Sequence, residues 1–201
     1  MTKRRDFLKT APMLVAGSVV ASSALSSCNE SGGGSVSATS VAAPISSENH
    51  ATGMKLAVGS DHAGYALKAK LLDKIKEMGH EIIDMGCFDE TPVDFPDIAK
   101  QVCDAILKGE AQRGIMFCGT GVGAAIACNK IPGIRASVCH DIYSAGQCVE
   151  HDDVQVMALG HQIVGHTVAL EYIKRFLSAT FSTAEEFRRR VEKLNMMDRR
   201  E

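Results

Sequence analysis

Ile115-Met116-Phe117-Cys118-Gly119-Thr120-Gly121-Val122-Gly123-Ala124-Ala125-Ile126-Ala127-Cys128-Asn129-Lys130 is the stretch that decides how this chain folds. A short apolar run ends in a cysteine, three glycines alternate with Thr120 and Val122, and an apolar segment with helical character follows. That is a strand, a tight loop and a helix start. Backbone N–H groups of such a loop converge with the positive end of a helix dipole, which suits an anion or an enolate. Cys118 stands at the carboxyl end of the strand, where open α/β sheets bind their ligands. A thiol there is either a small buried hydrophobe or a working base or nucleophile.

Outward from this loop the chain repeats one theme. Lys55 to Gly59 reads as a first strand, and Leu67, Leu71, Leu72, Ile75 and Met78 fall at helical spacing after it. Strands follow at 81–84, 113–118, 135–139 and 154–160, with helices at 98–107, 121–130, 142–150, 167–176 and 184–196. Strands alternating with helices predict a single Rossmann-like α/β domain: a five-stranded parallel sheet with helices on both faces. There is no internal repeat and no second core.

The first residues are of another kind. Lys3-Arg4-Arg5-Asp6-Phe7-Leu8-Lys9 is a basic head, Ala11 to Leu25 a small-residue apolar run, and Leu25-Ser26-Ser27-Cys28 closes it. The run is short for a membrane span but fits an export signal. The head resembles a twin-arginine signal, and the closing box resembles a bacterial lipoprotein cleavage site that would leave Cys28 as the lipidated first residue. Residues 29–53, rich in Gly, Ser, Ala and Thr, read as a flexible tether. The expected organisation is therefore a signal over 1–28, a tether over 29–53 and a folded domain over 54–201, exported to the cell envelope and touching the membrane through its lipid alone.

The net charge is −2 and tryptophan is absent, which speaks against nucleic-acid binding. Seven cysteines include no C-x-x-C pair, so a zinc site is disfavoured and the six after Cys28 are expected as buried free thiols. The glycine run lacks one residue of the dinucleotide fingerprint and has no P-loop Lys-Ser/Thr ending. The loops after the strands supply Asp61-His62, Asp94-Phe95, the Cys118 loop, His140-Asp141 and Glu150-His151-Asp152-Asp153. That inventory suits proton transfer next to a carbonyl, with a base, loop N–H groups for the enediolate oxygen, and an acid for ring opening.

Gly59-Ser60-Asp61-His62-Ala63-Gly64, the Cys118-Gly-Thr-Gly-Val-Gly loop with Ala127-x-Asn129-Lys130, Gly133-Ile134-Arg135-Ala136 and Glu150-His151-Asp152-Asp153 stand in this order. In that order they resemble ribose-5-phosphate isomerase type B and the related galactose-6-phosphate isomerase subunits, over about Met54 to Leu194. The resemblance implies a cofactor-free, metal-free aldose–ketose isomerase working on a sugar or sugar phosphate through a cis-enediolate. Cys118 would be the base moving the proton between C1 and C2. Gly119, Gly121, Val122 and Gly123 would hold the enediolate oxygens, Thr120 would assist ring opening, and His151 would be the acid for the ring oxygen. Asp61 and His62 would contact substrate hydroxyls or phosphate. Family members dimerise with the site shared between subunits, so a homodimer or a dimer of dimers is expected.

Departures from the family pattern cluster at the phosphate end. Asp152 stands where type B enzymes carry Asn, and Gln162 where they carry an arginine. Glu186 replaces the first arginine of the terminal helix while Arg190 keeps the second, and Phe95 replaces a tyrosine. Two lost arginines and two added carboxylates turn attraction for a dianion into repulsion. The readings left open are an unphosphorylated sugar as substrate, ribose 5-phosphate isomerisation with Arg188 or Arg189 moving into the vacant place, and a non-catalytic envelope sugar-binding protein.

Overall fold

The computed structural model describes residues 53–198. The expected signal with Cys28, and the tether except for its last residue, lie outside the described residues. Among the described residues no helix is long and apolar enough to cross a membrane.

The elements alternate as expected: β1 (Lys55–Ser60), α1 (Tyr65–Glu77), β2 (Glu81–Asp84), α2 (Phe95–Leu107), β3 (Arg113–Cys118), α3 (Val122–Cys128), β4 (Ala136–Val138), α4 (Ile142–Asp152), β5 (Val156–Gly160), α5 (His166–Ser178) and α6 (Glu185–Met197). Two boundaries differ in ways that matter. α2 begins at Phe95 rather than Ile98, because Pro96 in the first turn starts a helix instead of delaying one. α4 runs on to Asp152, so His151 and Asp152 belong to a helix end and not to a free loop.

The five strands are parallel in the order β2-β1-β3-β5-β4. β1, β3 and β5 are buried almost throughout, as central strands covered on both faces must be. The β2 and β4 edges are only half-buried. Chain direction across the sheet sorts the helices. β1 to β2 and β4 to β5 step one way, whereas β2 to β3 and β3 to β4 step the other. Right-handed crossovers then place α1 and α4 on one face and α2 and α3 on the opposite one. The cores agree: Leu56, Val58, Ile115, Phe117, Met157 and Leu159 pack with α1, α4 and α5. Ala57, Met116, Cys118, Val156 and Ala158, the alternate residues of the same strands, pack with α2 and α3.

Close approach at the top of the sheet depends on Gly64. A Cβ there would fall within the Phe117 and Cys118 backbone, so the turn after β1 presses directly on the strand that carries the thiol.

Candidate active site

Cys118 ends β3 beside Gly160, the last residue of β5. Gly121 turns the loop with φ +78°, the left-handed region that glycine enters freely, and hands the chain to α3. Neighbouring strands fix the loop's base: the Cys118 carbonyl accepts the His161 N–H at 2.9 Å, and the Gly119 carbonyl accepts the Gln162 N–H at 3.0 Å. Thr120 Oγ1 accepts the Val122 N–H at 3.3 Å. The Phe95 ring lies against Gly123, about 3 Å from where a Cβ would stand.

The thiol is buried, and burial is the largest reason its pKa is raised. The Asp61 carboxylate, accepting a hydrogen bond from the thiol, raises it further, while the Gly121 and Thr120 N–H groups pull the other way. Asp61 is itself buried, and its Oδ1 accepts the Gly64 N–H at 2.8 Å. His62 Nδ1 accepts the Val93 N–H at 3.3 Å, joining the loop after β1 to the loop before α2. Asp61, His62, Phe95, Gly119, Thr120, Gly121, Val122, Gly123 and Gln162 therefore gather with Cys118 at the carboxyl ends of β1, β3 and β5.

His140 joins this end and was not singled out from the sequence as a site residue. Its Nε2 accepts the Gly160 N–H at 3.1 Å, and burial lowers its pKa, which keeps the ring neutral. Its place after a strand put it in the inventory of loop residues, but its role did not follow, because its partner is a backbone group on a strand 20 residues away.

The remaining predicted residues lie elsewhere. β3 and β5 run in register from Gly114 with Val156 to Cys118 with Gly160. His151 and Asp152 close α4 just before β5 begins, so they sit at the opposite end of the sheet from Cys118, roughly 13 Å of strand away. α6 is at that same end. Phe187 stacks on His151 with ring centroids 4.0 Å apart, and Arg190 lies over the Phe187 ring at 5.5 Å. Arg135 ties the corner together by donating to the Asp152 and Asp153 carbonyls, the Asp153 carboxylate and Asn195 Oδ1. Within one chain, then, Cys118 and its loop form one group. His151, Asp152, Glu186 and Arg190 belong to a second, separate group.

A family model for ribose/galactose isomerases matches residues 56–194. The chain belongs to that family. Among its relatives, ribose-5-phosphate isomerase B of Escherichia coli is 39% identical over 146 residues, covering 73% of this chain and 97% of that one. A D-erythrulose-4-phosphate isomerase of Pectobacterium atrosepticum is 40% identical over 131 residues, covering 64% of this chain and 85% of the relative. The solved ribose-5-phosphate isomerase B of Clostridium thermocellum superposes with a TM-score of 0.70 at 43% identity, over 72% of this chain and 97% of its own. The α/β architecture and the aldose–ketose isomerase class follow from these matches. As a ribose/galactose isomerase, the chain keeps the thiol and the glycine loop in a single preformed cluster.

Proposed function

We propose that this protein is an aldose–ketose isomerase whose Cys118 shuttles a proton between C1 and C2 of a sugar that carries no phosphate. The observation that carries the chemistry is the Cys118 thiol set between the Asp61 carboxylate and the Thr120 and Gly121 N–H groups. In its thiolate form Cys118 removes the C2 proton, and the loop N–H groups hold the enediolate oxygen. Return of the proton to C1 completes the isomerisation. Thr120 assists ring opening and His151 protonates the ring oxygen.

His151 sits at the far end of the sheet in its own chain, which supports a site completed by a second copy, in a homodimer or a dimer of dimers. Cys118 of one protomer would then face His151, Asp152 and α6 of its neighbour. Gln162 at the edge of the glycine loop and Glu186 on α6 support the substrate reading. Each stands where the family pattern carries an arginine, and each missing charge-assisted contact is worth about 1.5–3 kcal/mol. The basic head and the Leu-Ser-Ser-Cys28 box support export and lipid anchoring, in a compartment where free sugars are met. Fractionation of cells carrying wild type and Cys28→Ala reads the anchor.

The second reading is a phosphorylated sugar, favoured by the relatives: the Mycoplasma genitalium structure, 29% identical with a TM-score of 0.68, holds ribulose-5-phosphate. The test is a screen of free and phosphorylated aldoses with the purified full chain, alongside Cys118→Ala and Gln162→Arg/Glu186→Arg. Turnover of a free sugar is expected, abolished in Cys118→Ala. The arginine pair should raise kcat/KM for ribose 5-phosphate about a hundredfold or more. Efficient turnover of ribose 5-phosphate by wild type, with free pentoses and hexoses ignored, overturns the substrate assignment.

A further inference from the structure

Cys139 follows β4 and Cys148 lies in the middle of α4, nine residues on. Their sulphurs are 3.8 Å apart in the core on the α4 face of the sheet. Each also faces backbone carbonyls: Cys139 Sγ those of Ser137 and Ser144, Cys148 Sγ that of Ala145. The two therefore differ from the lone buried thiols, which meet no second sulphur. They differ in access as well. Cys139 is fully buried, whereas Cys148 lines the wall of a cavity of about 400 Å³ bounded by Arg135, Ser137, Val154 and Leu194.

We propose that Cys139 and Cys148 are a disulfide site, closed by exchange with a small disulfide of two monothiols and bracing the β4–α4 corner. The sulphurs must approach by roughly 2 Å to reach bonding distance. The exchange balances as two steps. The Cys148 thiolate, reached through the cavity, attacks one sulphur of the oxidant, forming a mixed disulfide and releasing one small thiol. The Cys139 thiolate then attacks the Cys148 sulphur, forming the Cys139–Cys148 bond and releasing the second thiol. Two protein thiols are oxidised, one disulfide is reduced, and two protons leave with the released thiols. The hydrogen bond with Cys139 and burial raise the Cys148 pKa, so the first attack quickens as pH rises. Cys103 and Cys128, the other sulphur pair, join α2 to α3 in the opposite core; both are fully buried and neither lines a described cavity, so they stay reduced. An export signal, as residues 1–28 suggest, would deliver the chain to a compartment where such a bond persists.

The full chain, folded, is equilibrated with oxidised glutathione, alkylated, and cut with trypsin. The peptide Ala136–Lys174 holds Cys139 and Cys148 and no other cysteine. It should appear lighter by two hydrogens and unalkylated. Closing a loop of about ten residues should raise Tm by roughly 5–10 °C over the reduced protein. Cys139→Ala and Cys148→Ala should each remove that difference. Full alkylation of the peptide under the oxidant overturns the proposal, as does a bond that leaves Tm unchanged or lowers it. Oxidation of Cys103 with Cys128 in preference to this pair overturns it too.

Discussion

Replacing Asp84 by Asn should destabilise the domain more than replacing Lys68 by Met, although both changes break the same ion pair. Lys68 Nζ meets Asp84 Oδ1 at 2.6 Å, with the lysine side chain 1% exposed and the aspartate 27%. Asp84→Asn leaves an ammonium in the core with a neutral amide oxygen and the Phe88 ring, 5.2 Å away, as its remaining partners. Stranding a buried charge costs about 3–5 kcal/mol, and the partial exposure of Asp84 argues for the lower end, about 3 kcal/mol. Lys68→Met strands a carboxylate that reaches water and keeps the Gly86 N–H at 3.0 Å. It loses one charge-assisted hydrogen bond, about 1.5 kcal/mol, and the methionine refills the space of the stem. The expected gap is about 1.5 kcal/mol, or roughly 3–6 °C in Tm for a chain of this size. Urea denaturation of the two variants and of Lys68→Met/Asp84→Asn measures it. The double variant should be more stable than Asp84→Asn alone, since it removes the stranded ammonium. Equal costs, a reversed order or simple additivity would refute the reasoning.

Asp61→Asn removes the negative charge that helps to raise the Cys118 pKa. Because the base works as a thiolate, kcat/KM rises with pH through that pKa, and the variant should move the rising limb to lower pH. An unmoved or upward-shifted limb would show that the carboxylate does not act on the thiol. Cys118→Ala and His151→Ala should each be inactive alone, yet their mixture after subunit exchange should recover about a quarter of wild-type activity. Half of the random dimers are mixed, and each mixed dimer has one intact site of two. No recovery would place the whole site within one chain.

The fold was legible because every central strand is a buried apolar run bounded by glycine or a helix-start signal. Strand order was not, since periodicity says which face a residue takes and nothing about its neighbour across the sheet. The first half of the site was legible for a related reason: Asp61, His62 and the Cys118 loop all lie directly after strands, where topology alone brings them together. His151 was read as a loop residue after α4. In fact α4 holds it at its carboxyl end, and an antiparallel return helix carries its last turn to the wrong end of the sheet for its own Cys118. Lys68 was invisible, since a lysine on an amphipathic helix ordinarily faces water; only the long-range partner Asp84 draws it inside. The Cys139–Cys148 contact also depends on how a strand end meets a helix middle, which composition does not encode.

The arginines of α6 bear on the substrate more through their neighbours than through their number. Arg189 pairs with Glu185 at 3.3 Å on an exposed face, an interaction worth about 0–1 kcal/mol. Arg188 rests over Phe181 at 5.4 Å and Arg190 over Phe187. None is held tightly enough to prevent its turning toward a phosphate, so the occupied positions of these side chains do not by themselves exclude a dianion. Glu186 does more. It is fixed in the same first turns of α6, and a second carboxylate, Asp152, is carried by the helix on which Phe187 packs. In a closed site, two unit charges about 6 Å apart repel by roughly 3 kcal/mol at an effective dielectric near 20. That is as much as a recruited arginine returns. On the proposed reading, an arginine swung in from position 188 or 189 would first have to offset Glu186 before adding attraction for a phosphate. A neutral sugar feels neither term, and its hydroxyls can donate to both carboxylates and accept from Gln162. Under the proposed dimeric site, Asp152 and Glu186 of one copy would then oppose a dianion while offering acceptors to the hydroxyls of a polyol bound beside Cys118 and Gln162 of the other.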